Sequence, residues 1–156
     1  MLTQLTNEEK ALLVSGPNLV AALIAGADGE FSSEEIKRAA ALIHIKTFSS
    51  KHEDLREIYK ILDHNDNQEL LADLMLSLQS NTKERGDYLS GQLAKLNDIL
   101  PKLDYQFAIL YYKSLLNIAA LVASVDGGFW GMGGANAAEE VFIKLPMINK
   151  PEKRAQ

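Results

Sequence analysis

The sequence has no cysteine and only four prolines, and its aromatic content is 7%. Without thiols there is no disulfide scaffold, zinc ribbon, iron–sulfur site or thiol nucleophile, and the chain fits a reducing compartment. Basic residues are the minority charge, 16 against 21 acidic, for a formal net charge of −5. That balance argues against a general grip on phosphate backbones, so nucleic acid is not expected as a partner. Residues 1–10 lack a basic stretch followed by an apolar one, and no signal peptide is readable. These features predict a cytoplasmic protein. No run alternates between apolar and polar residues as a half-buried strand does. One stretch, Tyr105 to Val125, has the length of a bilayer span, but it carries Lys113 and Asn117 and is bounded by Asp104 and Asp126 without a basic flank. It reads as the central helix of a soluble bundle, apolar nearly all round because it is surrounded. Membrane contact is expected to be indirect at most.

Catalytic patterns are missing as well. His44, His52 and His64 form no HExxH spacing, no serine sits in Gly-x-Ser-x-Gly, and the glycines of Gly127–Gly134 are not followed by Lys-Ser/Thr. Adjacent carboxylates such as Glu139 and Glu140 point about 100° apart on a helix and cannot face one substrate together. The reading is non-enzymatic, with no catalytic residue and no organic cofactor.

What is present is a 47% hydrophobic chain of one domain's length, enough to fill a single core. Residues 1–148 form the expected domain and residues 149–156 a polar, disordered tail. Helix starts recur where a short polar residue precedes a carboxylate by three: Thr6/Glu9, Ser32/Glu35, Ser50/Glu53 and Asp66/Glu69. Pro17 after Ser15-Gly16 marks another start, and Gly29, Gly127 and the Leu100-Pro101 junction mark stops. The pattern predicts helices near 7–14, 17–27, 33–45, 51–63, 67–80, 83–99, 102–125 and 137–145, hence an all-α single bundle of about seven or eight helices.

An internal repeat carries the functional information. Leu19-Val-Ala-Ala-Leu-Ile-Ala-Gly-Ala-Asp-Gly-Glu-Phe31 recurs without a gap as Asn117-Ile-Ala-Ala-Leu-Val-Ala-Ser-Val-Asp-Gly-Gly-Phe129. Each copy is an apolar helix, an Asp-Gly turn, an aromatic corner and an acidic helix start; the second copy inserts residues around Trp130-Gly-Met-Gly-Gly-Ala135 before Glu139. The repeat predicts a pseudo-two-fold arrangement in which the helices ending at Asp28 and Asp126 pack side by side through Ala21, Ala22, Ala25, Ala119, Ala120 and Ala123. Phe31 and Phe129 are expected to be buried corner plugs.

Ala25-Gly-Ala-Asp-Gly-Glu-Phe-Ser-Ser-Glu-Glu35 resembles the first signature of the tellurite-resistance TerB-like family, and Val125-Asp-Gly-Gly-Phe-Trp-Gly-Met-Gly-Gly134 a glycine-rich version of its second. The resemblance covers roughly residues 17–148. It implies an all-helical, non-catalytic protein of the stress response, with divalent-cation binding at acidic positions. Asn136-Ala-Ala-Glu139 departs from the family's Ser-x-x-Glu. The candidate metal ligands are Asp28, Glu34, Glu35, Asp126, Glu139 and Glu140, hard oxygen donors suited to Ca2+ or Mg2+. The competing reading makes Glu35 and Glu139 capping partners, Glu34 and Glu140 answers to the helix dipole, and Asp28 and Asp126 turn-closers. A standard EF-hand is excluded, because Ile24 and Gly26 stand where its first ligands belong; Asp63-His-Asn65-Asp-Asn67 also fails, with Gln68 and Leu74 in key places. Trp130 and Met132, among glycines, are the expected contact with partner proteins, Trp130 partly exposed. The alternative function is a metal-independent protein-interaction domain; the oligomeric state is left open.

Overall fold

A computed structural model of the protein describes residues 2–27, 33–64, 66–78, 81–126 and 142–153. Among them it is all-α, without strands. Six α-helices are present among the described residues: α1 (Asn7–Ala25), α2 (Ser33–Ser49), α3 (Glu53–His64), α4 (Asn67–Ser77), α5 (Thr82–Ala94) and α6 (Tyr105–Asp126). Two 3-10 turns, Lys95–Asp98 and Leu100–Lys102, carry the chain around Pro101 from α5 into α6. The expected helix over 137–145 falls mostly outside the described residues.

Local chemistry explains most helix starts. Thr6 and Glu9 form the expected capping box: the Glu9 amide donates to Thr6 Oγ1 at 3.1 Å and the Thr6 amide to Glu9 Oε2 at 2.8 Å. The Lys102 ammonium bonds the same Glu9 carboxylate and, with the Thr6 amide second, holds it below the usual carboxylate range. A carboxyl depressed by folding contributes stability above its unfolded pKa, and that contribution is lost as pH falls through the folded value. Lys102→Met is therefore expected to raise the Glu9 titration midpoint, read by NMR of the side-chain carboxyl, and to reduce the acid sensitivity of folding. Asp66 caps α4, accepting from the Glu69 amide at 3.5 Å. Ser50 does not cap α3; its hydroxyl turns to the His52 carbonyl and the helix begins at Glu53. Asn81, absent from the predicted starts, caps α5 through the Glu84 amide at 3.1 Å.

The largest departure from the sequence reading is at Pro17. Helices predicted over 7–14 and 17–27 are one 19-residue helix that runs through the proline. Proline removes the N–H that would have bonded the carbonyl four residues back, here Leu13. In its place Tyr111 Oη, from α6, donates to the Leu13 carbonyl at 2.6 Å. Gly16 opens the way: a β-carbon there would lie 2.0 Å from the Tyr111 hydroxyl. Gly16-Pro17 is thus a notch in a continuous helix rather than a boundary.

That contact belongs to the most extensive helix pairing in the fold, between α1 and α6. The two run parallel, with Glu9 beside Lys102 just ahead of α6, Leu13 against Tyr111, and Gly16 against Tyr111 and Leu115. The Leu13–Tyr111 separation is 98 residues, and Gln4 to Lys102 spans the same interval. Asp28 and Asp126 are also 98 apart, so the helices are in register with the sequence repeat. Ala21, Ala22, Ala25, Ala119 and Ala123 are buried, as the small-residue face requires, whereas Ala120 is exposed. α3 lies along α6 in the same direction, with the His52 ring tilted against Phe107 at a centroid distance of 5.6 Å and Tyr59 Oη donating to Ser114 Oγ at 2.9 Å. α2 folds back against α3, where His44 Nδ1 meets Asp63 Oδ1 at 2.6 Å. α5 runs opposite to α1. His52 is therefore a half-buried packing residue.

α6 is long and apolar enough to span a bilayer over Tyr105–Ala123, and half of that segment is buried inside the bundle. It is not surrounded on every side, as its near-uniform hydrophobicity implied: Gln106, Leu110, Lys113, Asn117 and Ala120 form an exposed stripe. Residues 142–149 pass along α5 as a strap. Phe142 packs beside Gly86, Leu145 and Ile148 are buried, and Asn97 clamps the strap by donating to the Met147 carbonyl at 3.0 Å and accepting the Asn149 amide at 2.8 Å. Leu145 holds a left-handed backbone, φ 48°, despite its branched side chain.

Candidate functional site

Parallel α1 and α6 send their C-termini to one end of the bundle, hereafter the turn end. There the partial negative charge of two helix termini faces the same region. α2 begins at this end, since only seven residues join Ala25 to Ser33, and the start of α5 arrives beside Gly26.

Asp28, Glu139 and Glu140 lie outside the described residues, as do Phe31, Phe129, Trp130 and Met132. Glu35 is in the first turn of α2 and Asp126 is the last residue of α6. Glu34 is exposed and stands 3.9 Å from Arg38 one turn along α2. Exposed pairs of this kind contribute little to stability. Among the described residues no group of three or more His, Asp or Glu side chains is gathered for a metal ion. The start of α2 does meet the start of α4, where Ser33, Ile36, Asp66, Gln68, Glu69 and Ala72 line a cleft of about 280 Å³.

The residues that imitate half an EF-hand have other partners. Asp63 bonds His44, and Asn67 is buried with its Oδ1 accepting from Asn18 Nδ2 at 2.7 Å. Asn18 and Asn67 pin α4 to α1, while Asp66 between the helices takes φ 54°. A helix–helix connection is what the sequence predicts at this segment, and it is what stands there.

One residue at the turn end was not anticipated. Arg85, in the first turn of α5, is 4% exposed, and its Nη2 donates to the Gly26 carbonyl at 2.6 Å. Burying a guanidinium is costly unless its donors are satisfied, and the carbonyls at the end of α1 are acceptors left over by the helix. The sequence did contain a signal: Arg85 is in phase with Leu89 and Leu93, one and two turns later, which places it on the buried face of α5. A charged residue in apolar phase reads as a satisfied buried ion.

At the opposite end, the chain after the strap and the approach to α6 enclose a groove of about 790 Å³, lined by Asn97, Pro101, Lys102, Tyr105, Asn149 and Pro151 among others. Its charges are mixed in sign, Lys102, Lys150 and Lys153 against Asp104 and Glu152, and Lys102 is already engaged by Glu9.

Compared with protein-family models, with curated proteins and with solved structures, the chain finds no match.

Proposed function

We propose that the chain is a non-enzymatic, cytoplasmic, TerB-like helical module whose working surface is the turn end of the bundle. There it binds a hard divalent cation, Ca2+ or Mg2+, weakly, through carboxylates drawn from Asp28, Glu34, Glu35, Asp126, Glu139 and Glu140. It scaffolds other proteins, through Trp130 and Met132, in a stress-response or envelope-associated complex.

The observation that carries this reading is the parallel pairing of α1 and α6 in register with the 98-residue repeat. It supports taking the two copies as halves related by an approximate two-fold axis between the helices, with their Asp-Gly turns at one end. Carboxylates collected beside two helix C-termini repel one another and the dipoles, and a divalent cation relieves that repulsion. The TerB-like character rests on the two repeated turns themselves.

Calorimetric titration with calcium and with magnesium tests the reading. Binding is expected with Kd on the order of 0.1–1 mM, and a double Asp28→Asn, Asp126→Asn variant is expected to abolish the heat. An absence of heat in the unaltered protein at millimolar metal would overturn it. A metal-independent interaction domain is the second reading, favoured by Arg85, which already brings a permanent positive charge to the turn end. Under that reading calcium leaves the melting temperature unchanged, whereas an ion bound only by the folded state raises it.

A further inference from the structure

Two exposed helix faces carry opposite charge, and each bears a large apolar side chain. The first is the stripe of α6. The chain has 21 acidic residues, yet none occurs in residues 105–125 of α6 or in residues 36–52, which run through α2 beside it. Lys113 stands at the centre of the stripe, with Leu110 one turn before it and Asn117 one turn after. From α2 the half-buried Lys46 reaches across and donates to Asn117 Oδ1. Burial holds the Lys46 ammonium below its ordinary range, and an amide oxygen supplies no counter-charge. A carboxylate arriving beside Asn117 would supply one. The second face is on α4. Residues 65–82 contain Asp66, Glu69 and Asp73 but no lysine or arginine. Glu69, Asp73 and Leu76 lie on one exposed face at helical spacing, and Leu76, 83% exposed, is the most exposed large apolar side chain among the described residues. No ion pair among the described residues takes up Lys46, Lys113, Glu69 or Asp73.

The two faces match in register when their helices run in opposite directions. From Leu110 the stripe advances three residues to Lys113 and four more to Asn117; from Leu76, α4 steps back three to Asp73 and four more to Glu69. On both helices these steps are rises of about 4.5 and 6 Å. Rows at spacings of three and four are those through which nearly aligned helices interlock. Within one chain α4 packs on α2 and α1, and both faces look to solvent, so the pairing is one between copies. We infer that the acidic face of α4 in one copy of this chain docks antiparallel on the basic stripe of α6 in a second copy. Leu76 then meets Leu110, Asp73 meets Lys113, and Glu69 reaches the Lys46 ammonium beside Asn117. Because two different patches meet, each chain carries both halves of the contact, and association continues beyond a pair unless the geometry closes a ring.

Sedimentation equilibrium tests the contact, with EDTA present so that the outcome is independent of the cation reading. In the unaltered protein the average mass is expected to rise with concentration, with Kd on the order of 0.1 mM, as suits a contact at the small end of interface size. Asp73→Lys alone and Lys113→Glu alone each set like charges opposite one another and are expected to weaken self-association at least about ten-fold. An equimolar mixture of the two variants restores an opposite-charge pair at every contact, and its association is expected to return to within about three-fold of the unaltered protein. Both positions are exposed, and circular dichroism confirms that each variant is folded. Should Asp73→Lys fail to fold, Leu76→Ser is the second α4 variant, with a roughly ten-fold weakening expected from the lost apolar contact. An unaltered protein that stays monomeric at about 1 mM overturns the proposal and leaves the two faces to other proteins. Association that survives either α4 variant or Lys113→Glu unchanged, or a mixture that stays monomeric, overturns it as well.

Discussion

Gly16→Ala is expected to destabilise the protein by about 3–5 kcal/mol, the combined cost of overpacking and of a displaced buried hydrogen bond. The new methyl group would fall 2.0 Å from Tyr111 Oη, so either the helices separate or the tyrosine leaves the Leu13 carbonyl. Tyr111→Phe alone should cost about 1–3 kcal/mol, because the Leu13 carbonyl then lacks both its helix donor and its tertiary one. Together the two substitutions should cost much less than their sum. Removing the hydroxyl removes the clashing atom and leaves a ring carbon at 3.2 Å, a contact that small shifts relieve. Pro17→Ala supplies the missing helix N–H to Leu13, and in that background Tyr111→Phe is expected to cost less than about 1 kcal/mol. Urea unfolding of the single and paired variants checks the cycle. Strict additivity would show that Gly16, Pro17 and Tyr111 do not act as one joint.

The second large effect is expected at Leu145. Leu145→Ala should cost about 2–5 kcal/mol, since the side chain is fully buried where the strap crosses α5. Leu145→Gly removes more of the side chain, yet it should be the more stable variant by about 1 kcal/mol, inverting the usual order of alanine and glycine. The backbone at this position is left-handed, φ 48°, and glycine alone adopts that conformation without penalty. Chemical denaturation measures the difference. If alanine proves the better replacement, the strained position at Leu145 contributes nothing to the energetics of the strap.

Much of the architecture was legible because it is local. Thr6 and Glu9 announce the start of α1, and Leu55, Ile58, Tyr59 and Leu62 mark one buried face of α3 at helical spacing. The pairing of α1 with α6 was legible for a different reason, since the repeat requires the same alanine-rich face in both. What failed was decided by residues distant in sequence. Ser15-Gly16-Pro17 has the composition of a helix boundary, and only a tyrosine hydroxyl from α6 makes it the interior of one. Arg85 was overlooked among other charges, although its phase with Leu89 and Leu93 separates it from Lys83 and Glu84, which are exposed. Of the candidate site, the sequence indicated the end of the fold at which two helices terminate, and Glu34 stands there beside Arg38. It did not reveal that a basic side chain is built into the same end, because burial of one arginine depends on the free carbonyls at the end of a helix, 59 residues earlier in the chain.

The groove at the opposite end brings two distant stretches of chain to one residue. Gln4 bonds the Lys102 carbonyl, and Lys102 lines the same groove as Asn149, Lys150 and Pro151. The described beginning and end of the chain therefore both reach the Lys102 end of the bundle, far from the end where α1 and α6 terminate. A tether attached through either would leave the turn end facing away from the anchor. A label at one and an acceptor at the other would report strap detachment as a change in distance, without touching the carboxylates.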